Sequence, residues 1–253
     1  MEFRRRSLMC LIFISVMFFN ISAIKSIEQS EQVTQESPPT SEPIENEFIV
    51  CIDPGHQQKG DSKQEPIAPG STNKKARVSS GTSGVSTKKP EHTINLEASI
   101  ILKQILENDG IKVVMTREVA DVNISNAERA QISNEVNADI TIRIHCDSIN
   151  NPSKTGATIL IPSDTSNYTK AIYEESQKFA KHLKTALADS GIKVNGIFKR
   201  DDMTGFNWSQ VPVIILEMGF MSNWNEDQML ANPAYQKKLM EAVAVAIKKY
   251  KQA

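Results

Sequence analysis

Short apolar runs alternate along the chain with longer segments in which apolar residues recur every three or four positions. The runs are typical of buried strands, and the wider spacing is typical of helices with one buried face. Strands are predicted at residues 48–53, 111–115, 140–145, 156–161 and 211–217, and helices at residues 91–108, 126–137, 167–189 and 233–249. This alternation indicates an α/β fold: a single domain with a central, mostly parallel sheet covered by helices on both faces.

The predicted boundaries depend on residues that start or stop helices. Gly110 and Gly191 each precede the triplet Ile-Lys-Val, so each marks a helix end followed by a strand. Ser125-Asn126-Ala127-Glu128 is a capping-box pattern, in which two side chains accept hydrogen bonds from backbone N–H groups at the helix start. Asn232-Pro233 combines a favoured cap with a first-turn proline. Helices therefore begin at both places.

Three predicted apolar strands lead into residues of types that can bind metals or transfer protons. His56 follows the first of these strands, His145 ends the second and Glu217 ends the third. The carboxyl ends of parallel strands lie along one edge of the sheet, so these side chains should meet there. Imidazole is the commonest metal ligand in proteins, and a catalytic zinc site typically has three nitrogen or oxygen protein ligands and one open position. The pattern predicts a metal-dependent hydrolase.

The amino terminus indicates export. Residues 1–23 contain a cluster of three arginines, a short apolar run and a small-residue exit, which is the layout of a signal peptide. The apolar run is short for a membrane span, so cleavage is favoured, and a retained membrane anchor is the alternative. Residues 24–46 are polar and proline-containing and are predicted to be a disordered linker. Residues 47–253 then form the catalytic domain of a secreted or cell-wall protein.

Composition restricts the partners. The formal net charge is −1, which excludes a strongly basic nucleic-acid binder. The sequence contains no internal repeat and no second module, so any targeting to the wall must use the catalytic domain or the linker, and we expect a monomer. Only Cys51 and Cys146 follow the signal segment, and each lies in or beside an apolar strand. We expect two buried thiols, with a disulfide as the alternative.

Five segments carry a resemblance to a known family. They are Asp53-Pro54-Gly55-His56, residues 91–96, the region around Arg129, residues 144–147 and residues 216–223. In this order and spacing they resemble the zinc-dependent N-acetylmuramoyl-L-alanine amidases of the Amidase_3 type, from residue 48 to residue 250. The resemblance implies a sheet of about six strands. It also implies hydrolysis of the amide that joins the lactyl group of muramic acid to the first L-alanine of the peptidoglycan stem peptide.

The resemblance also implies roles for individual residues. His56, Glu91 and His145 correspond to the zinc ligands, and Glu217 corresponds to the catalytic carboxylate. The chemistry agrees, because an amide is a poor electrophile: Zn²⁺ would activate water and polarise the carbonyl, and Glu217 would transfer the proton to the L-alanine nitrogen. Peptidoglycan is the expected partner, in cell-wall turnover, separation or lysis.

Each carboxylate has an alternative interpretation. Glu91 would also be favoured in a first helical turn by the helix dipole, and Glu97 competes with it as a ligand but lies on another helix face, where we expect it to meet solvent. For Glu217 the alternative is an ion pair with an arginine. Asp53 could orient an imidazole or cap a turn.

The remaining candidates receive structural interpretations. Arg129 should face inward from its helix and form a core ion pair, and Arg117 is a second structural arginine. His92 has no counterpart in the pattern, and His182 lies in a predicted helix among lysines, so we expect both to be solvated.

Residues 57–90 depart from the family pattern. Gln57-Gln58 replaces the usual pair of glycines, and the segment is far longer than the short turn expected before Glu91. It contains seven lysine and arginine residues and two acidic residues, a net charge of +5. Loops of this length are usually functional or disordered. We predict that this insertion binds anionic wall polymer near the metal edge of the sheet, and a solvated loop is the alternative.

Two other functions fit the same residues. Another zinc peptidoglycan hydrolase, such as a carboxypeptidase or a deacetylase, would release terminal D-alanine or acetate. A wall-binding protein without catalysis would release neither, although intact His56, His145 and Glu217 argue against it.

Overall fold

The computed structural model describes residues 47–253, so the predicted signal peptide and linker lie outside the described residues. The described residues form eight strands and six helices. In chain order these are β1 Ile49–Pro54, β2 Asp61–Pro66, β3 Lys74–Val78, α1 Glu91–Asn108, β4 Lys112–Met115, α2 Asn126–Glu135, β5 Ile140–Asp147, β6 Ala157–Pro162, α3 Tyr173–Asp189, β7 Val194–Arg200, α4 Thr204–Asn207, β8 Val213–Phe220, α5 Trp224–Leu230 and α6 Pro233–Lys251.

Six strands form one sheet in the order β4-β1-β5-β8-β6-β7, and β2 pairs with β3 separately. Strands β4, β1, β5 and β8 are parallel to one another. Strand β6 runs antiparallel to β8 and parallel to β7. The predicted mostly parallel α/β sheet is confirmed, and its carboxyl edge at β1, β5 and β8 is continuous.

Helices cover both faces of the sheet. On one face, α1, α3 and α6 pack on alternate residues of the central strands, including Ile52, Ile142 and Leu216, in the main apolar core. On the other face, Phe206 of α4 packs on Leu160 and Ile215 in a smaller cluster. Because neighbouring residues of a strand point to opposite faces, Glu217 lies on the same face as Ile215.

Several boundaries agree with the sequence. Helix α1 spans the predicted residues, and both hydrogen bonds of the Ser125 capping box are present. Helix α3 begins at Tyr173 and not at residue 167. The hydroxyl of Thr169 donates to the carbonyl of Ser163 at 2.6 Å, so the preceding serine and threonine residues form local turns that compete with the helix. Helices α4 and α5 and strands β2 and β3 were not predicted.

The insertion at residues 57–90 is folded onto the domain. Its hairpin, β2 and β3, is held by Arg77, which donates to carboxylate oxygens of Asp61 and Glu128 at 2.7 Å each. The indole N–H of Trp208 donates to the carbonyl of Pro66 at 2.9 Å. These contacts are made by polar and charged groups, so the sequence of the insertion shows no apolar periodicity.

The second half of the insertion is attached to α5. Asp227 is fully buried and accepts backbone N–H bonds from Ser86 and Thr87 at 2.7 Å each. A Cβ atom at Gly84 would lie 2.0 Å from Oδ1 of Asp227, so only glycine allows this approach. The insertion is therefore not an unstructured loop, although most of its side chains are exposed.

Within residues 47–253, no helix combines the length and apolar character needed to cross a membrane. Cys51 and Cys146 are both buried and free, as predicted.

Candidate active site

The four residues selected from the sequence meet at one edge of the sheet. His56 follows β1, His145 lies near the end of β5, and Glu217 is its register partner on β8. Glu91 is the first residue of α1, and that helix begins above the same edge. The parallel order of β1, β5 and β8 produces this convergence, as expected for carboxyl-end sites in α/β sheets.

Three of these side chains form a compact cluster. Nε2 of His56 lies 3.1 Å from Oε1 of Glu91, and Nδ1 of His145 lies 3.4 Å from the same oxygen. The two imidazole rings are nearly perpendicular, with centroids 4.8 Å apart. One ligand atom from each residue lies within 4.8 Å of the others, so the cluster could hold a metal ion.

The insertion orients His56. The residue has φ of +62°, a left-handed backbone conformation that is uncommon outside glycine. Its Nδ1 lies 3.1 Å from the carbonyl oxygen of Ser79 and 2.9 Å from the Ser79 hydroxyl. When Nδ1–H donates to the carbonyl, the lone pair of Nε2 remains available for a cation.

The Glu91 carboxylate is fixed on both oxygens. Oε1 accepts from the side chain of Asn95 and from the backbone N–H of Cys146, at 3.1 Å each. Oε2 accepts from the backbone N–H of Thr82, also in the insertion, at 3.0 Å. Sequence reasoning missed Ser79 and Thr82, because their contribution depends on the path of the insertion and no motif marks it.

Two glycines make room for the cluster. A Cβ atom at Gly55 would lie 2.2 Å from Cε1 of His145, so this imidazole rests directly on the Gly55 backbone. At Gly81, φ is +79° and a Cβ atom would lie 2.7 Å from Oε2 of Glu91. Both positions require glycine.

The electrostatics favour the ligand forms of these groups. Burial raises the pKa of Glu91, but hydrogen bonds to His145 and His56 outweigh it and hold the pKa well below its usual range. Burial lowers the pKa of His145 to about 4. At neutral pH the carboxylate is therefore charged and the imidazole neutral, and these are the forms that bind metals.

Glu217 has the opposite environment. Burial, together with the carboxylates of Glu91 and Asp147, raises its pKa well above the usual value. Its Oε2 atom is buried and accepts no hydrogen bond from the described residues, and the same holds for Nε2 of His145. One unpartnered buried nitrogen within the His-Glu-His cluster and one unpartnered buried carboxylate oxygen next to it fit a site that takes a cation and a polar substrate.

A model of the Amidase_3 family, described as N-acetylmuramoyl-L-alanine amidase, matches residues 50–249. The chain belongs to this family. Its reaction is the hydrolysis of the amide bond between N-acetylmuramic acid and the L-alanine of the stem peptide in peptidoglycan. The activity and the fold implied by the sequence motifs are confirmed.

Individual proteins similar to this chain are also named as amidases. An N-acetylmuramoyl-L-alanine amidase of Mycobacterium tuberculosis, Rv3717, is 29% identical over 78% of this chain and 83% of that protein. A probable cell wall amidase of Staphylococcus saprophyticus, LytH, is 24% identical over 86% of this chain, which spans only 63% of LytH. The crystal structure of the amidase Ami1 of Mycobacterium smegmatis has a TM-score of 0.73 at 27% identity, covering 80% of this chain and 96% of Ami1.

Asp53 of this amidase has neither of its predicted roles. Its Oδ1 accepts from Arg129 and its Oδ2 from Arg143, at 2.7 Å each, and the hydroxyl of Thr116 donates to Oδ1. All three ionic groups are buried. The core ion pair predicted for Arg129 is therefore confirmed. Its partner is Asp53, which was expected to orient an imidazole or cap a turn.

The buried arginines also hold the turn that carries His56. Arg129 donates to the carbonyl oxygens of Pro54 and His56 at 2.9 Å each. Arg117 donates to the carbonyl oxygen of Gly55 at 3.0 Å. Most acceptors of this tight turn are thereby satisfied, and the Asp53 network fixes the position of the first histidine.

Asp53→Asn should destabilise the domain by about 3–5 kcal/mol, because it leaves two buried guanidinium groups without a countercharge. Urea unfolding at neutral pH measures the difference, and Asp109→Asn, which removes a surface ion pair with Lys248, is the control. The arginines lower the pKa of Asp53 against the effect of burial. Its contribution is therefore present above the unfolded pKa of about 3.9 and is lost as pH falls below it. Equal stability of both variants would contradict this role.

The remaining candidates lie outside the cluster. The solvated position predicted for His92 is wrong, because the residue is buried at the start of α1 and its carbonyl accepts from Arg117 at 2.9 Å. Glu97 is partly exposed and pairs with Lys89 at 2.5 Å. His182 is partly exposed on α3.

Proposed function

We propose that this amidase is a zinc enzyme that acts outside the cytoplasm. His56, Glu91 and His145 hold the metal, and Glu217 is the catalytic carboxylate. The observation that carries the proposal is the approach of the three ligand atoms to within 4.8 Å of one another, with Glu217 as the register partner of His145. A donor set of two histidines and one glutamate is typical of catalytic zinc sites.

The chemistry divides between the cation and the protein. When bound, zinc lowers the pKa of a water molecule to about 7 and polarises the scissile carbonyl. Glu217 accepts a proton from the attacking water and delivers it to the L-alanine nitrogen as the amide breaks. Burial and the neighbouring carboxylates of Glu91 and Asp147 raise its pKa, which makes it a stronger proton acceptor than an exposed carboxylate.

The wall partner and location follow from the substrate. Peptidoglycan lies outside the cytoplasmic membrane, and residues 1–23 have the layout of a signal peptide. We propose that the protein is exported and works in the wall, where turnover, cell separation or lysis requires this bond to be cut.

Product analysis tests the activity directly. Purified peptidoglycan digested with the zinc-loaded protein should release intact stem peptides with a new L-alanine amino terminus, detected by mass spectrometry. Release of D-alanine or acetate would support a carboxypeptidase or deacetylase. Wall sedimentation without new amines would support a binding protein.

The exposed lysines of the insertion should attract anionic wall polymer. Lys75 and Lys89 are partly neutralised by Asp202 and Glu97, whereas Lys63 and Lys74 are exposed and form no ion pair within residues 47–253. The usable positive charge is therefore smaller than the sequence count of +5, and Lys63 and Lys74 of the hairpin carry part of it.

Reversing Lys63 and Lys74 to glutamate should raise the apparent KM for peptidoglycan at low salt and flatten its dependence on salt, with metal content unchanged. Lys181 and Lys184, exposed on α3, provide the matched double reversal. Salt profiles that coincide for wild type and both variants would leave the hairpin without an electrostatic role.

A further inference from the structure

The sheet face that carries Glu217 continues outward over β6 and β7. Glu217 pairs with Thr158 of β6, and Leu160 of β6 pairs with both Ile215 of β8 and Phe198 of β7. Register partners point to the same face, as do residues two positions apart on a strand. Phe198 therefore lies on the face of Glu217, two strands away.

The ring of Phe198 is exposed and tilts toward the catalytic edge. The residue is 50% exposed, a high value for a phenylalanine in a strand. A Cβ atom at Gly196 would lie 3.1 Å from both Cε2 and Cζ of Phe198. Strand β7 runs opposite to β8, because β6 is parallel to β7 and antiparallel to β8. Gly196 therefore lies closer than Phe198 to the sheet edge on which Glu217 lies. The ring thus covers the Gly196 backbone and leans along β7 toward the sheet edge on which Glu217 lies.

The backbone beneath the ring is fixed. Asn195 donates from its side-chain nitrogen to the carbonyl oxygens of Thr155 and Gly156 at 3.1 and 3.0 Å. These bonds hold the register shift between β6 and β7 that occurs at Ala157. At Gly196, φ is +151°, a backbone conformation that other residues rarely adopt. The exposed ring therefore stands on a defined support.

We propose that Phe198 is a platform for the sugar ring of the muramyl substrate, an inference that rests on the proposed function. Two strand spacings place the platform about 10 Å from Glu217. When the scissile amide lies at Glu217, the lactyl arm is short enough for the muramyl pyranose ring attached to it to lie at Phe198. The C–H groups on one face of a pyranose pack against the electron-rich face of an aromatic ring, and this contact would orient the amide.

Two soluble substrates test the platform. One is N-acetylmuramoyl-L-alanyl-D-isoglutamine, and the other is the same dipeptide with a lactyl group and no sugar. For the zinc-loaded protein, Phe198→Ala should lower kcat/KM for the muramyl substrate by about tenfold, mainly through KM, and leave the lactyl substrate unchanged. Phe198→Tyr keeps the ring and should retain wild-type values.

Tyr168→Ala is the matched control. Tyr168 is 45% exposed and follows Pro162, at the opposite edge of the sheet, so its removal should affect neither substrate. An equal loss on both substrates in Phe198→Ala would mean that the ring does not contact the sugar, and an unchanged kcat/KM on both would also overturn the proposal. Hydrolysis of neither substrate by wild type, with peptidoglycan also uncut, would instead count against the proposed function.

Discussion

Glu217→Gln should retain zinc and lose hydrolysis of peptidoglycan by about a hundredfold to ten-thousandfold. Glutamine keeps the size of the side chain but cannot accept a proton from water. The zinc should stay because Glu217 is not among the three residues whose ligand atoms cluster. The loss should appear in kcat, since the role concerns proton transfer.

Metal content and turnover must be measured on the same preparation. Glu107→Gln makes the same chemical change at an exposed position on α1 and should match wild type in both. Stoichiometric zinc with activity within a few-fold of wild type in Glu217→Gln would contradict the assignment. Loss of zinc would instead place Glu217 among the ligands.

The fold and the catalytic edge could be predicted because they depend on local patterns. Each strand that leads to His56, His145 or Glu217 is a short apolar run, and parallel order alone brings their ends together. The capping box at Ser125 is likewise encoded within four neighbouring residues. Patterns of this kind can be recognised in the sequence without knowledge of tertiary contacts.

The features that could not be predicted depend on contacts between distant segments. The carbonyl of Ser79 and the N–H of Thr82 contact His56 and Glu91, and any residue type carries such backbone groups; the Ser79 hydroxyl adds a side-chain contact that no motif marks. Asp227 lies 140 positions from Thr87, whose backbone it binds, and its sequence context is that of an ordinary helical carboxylate. In both cases the contact depends on the three-dimensional path of the chain, which no local sequence pattern indicates.

Asp53 shows a different limit. The sequence placed it beside the first histidine, and this proximity suggested a role toward the imidazole. In the structure its carboxylate forms ion pairs with two buried arginines instead, one from α2 and one from β5. The countercharge required by two buried guanidinium groups decides its role, and only the tertiary fold reveals that they are neighbours.

Glu91→Ala should remove zinc and activity together, whereas Glu97→Ala should leave both near wild type. Glu91 offers Oε1 to both histidines of the cluster, and Glu97 points instead to Lys89. Loss of an outer hydrogen-bond partner typically costs 10- to 100-fold in metal affinity, so loss of a direct ligand should cost more than about 100-fold. His145→Ala should behave like Glu91→Ala.

Chelator competition measures the zinc affinity of each variant, and circular dichroism of the metal-free proteins shows whether they are folded. This second measurement matters because Glu91 also accepts N–H bonds from Thr82 and Cys146, so its removal also loosens the insertion and the end of β5. A folded Glu91→Ala protein that binds zinc as tightly as wild type would leave Glu91 as a structural carboxylate. Weak zinc binding in Glu97→Ala alone would show that α1 presents the other glutamate to the metal. The expected order, with Glu91 and His145 required and Glu97 and Glu217 dispensable for binding, separates metal ligands from the proton carrier.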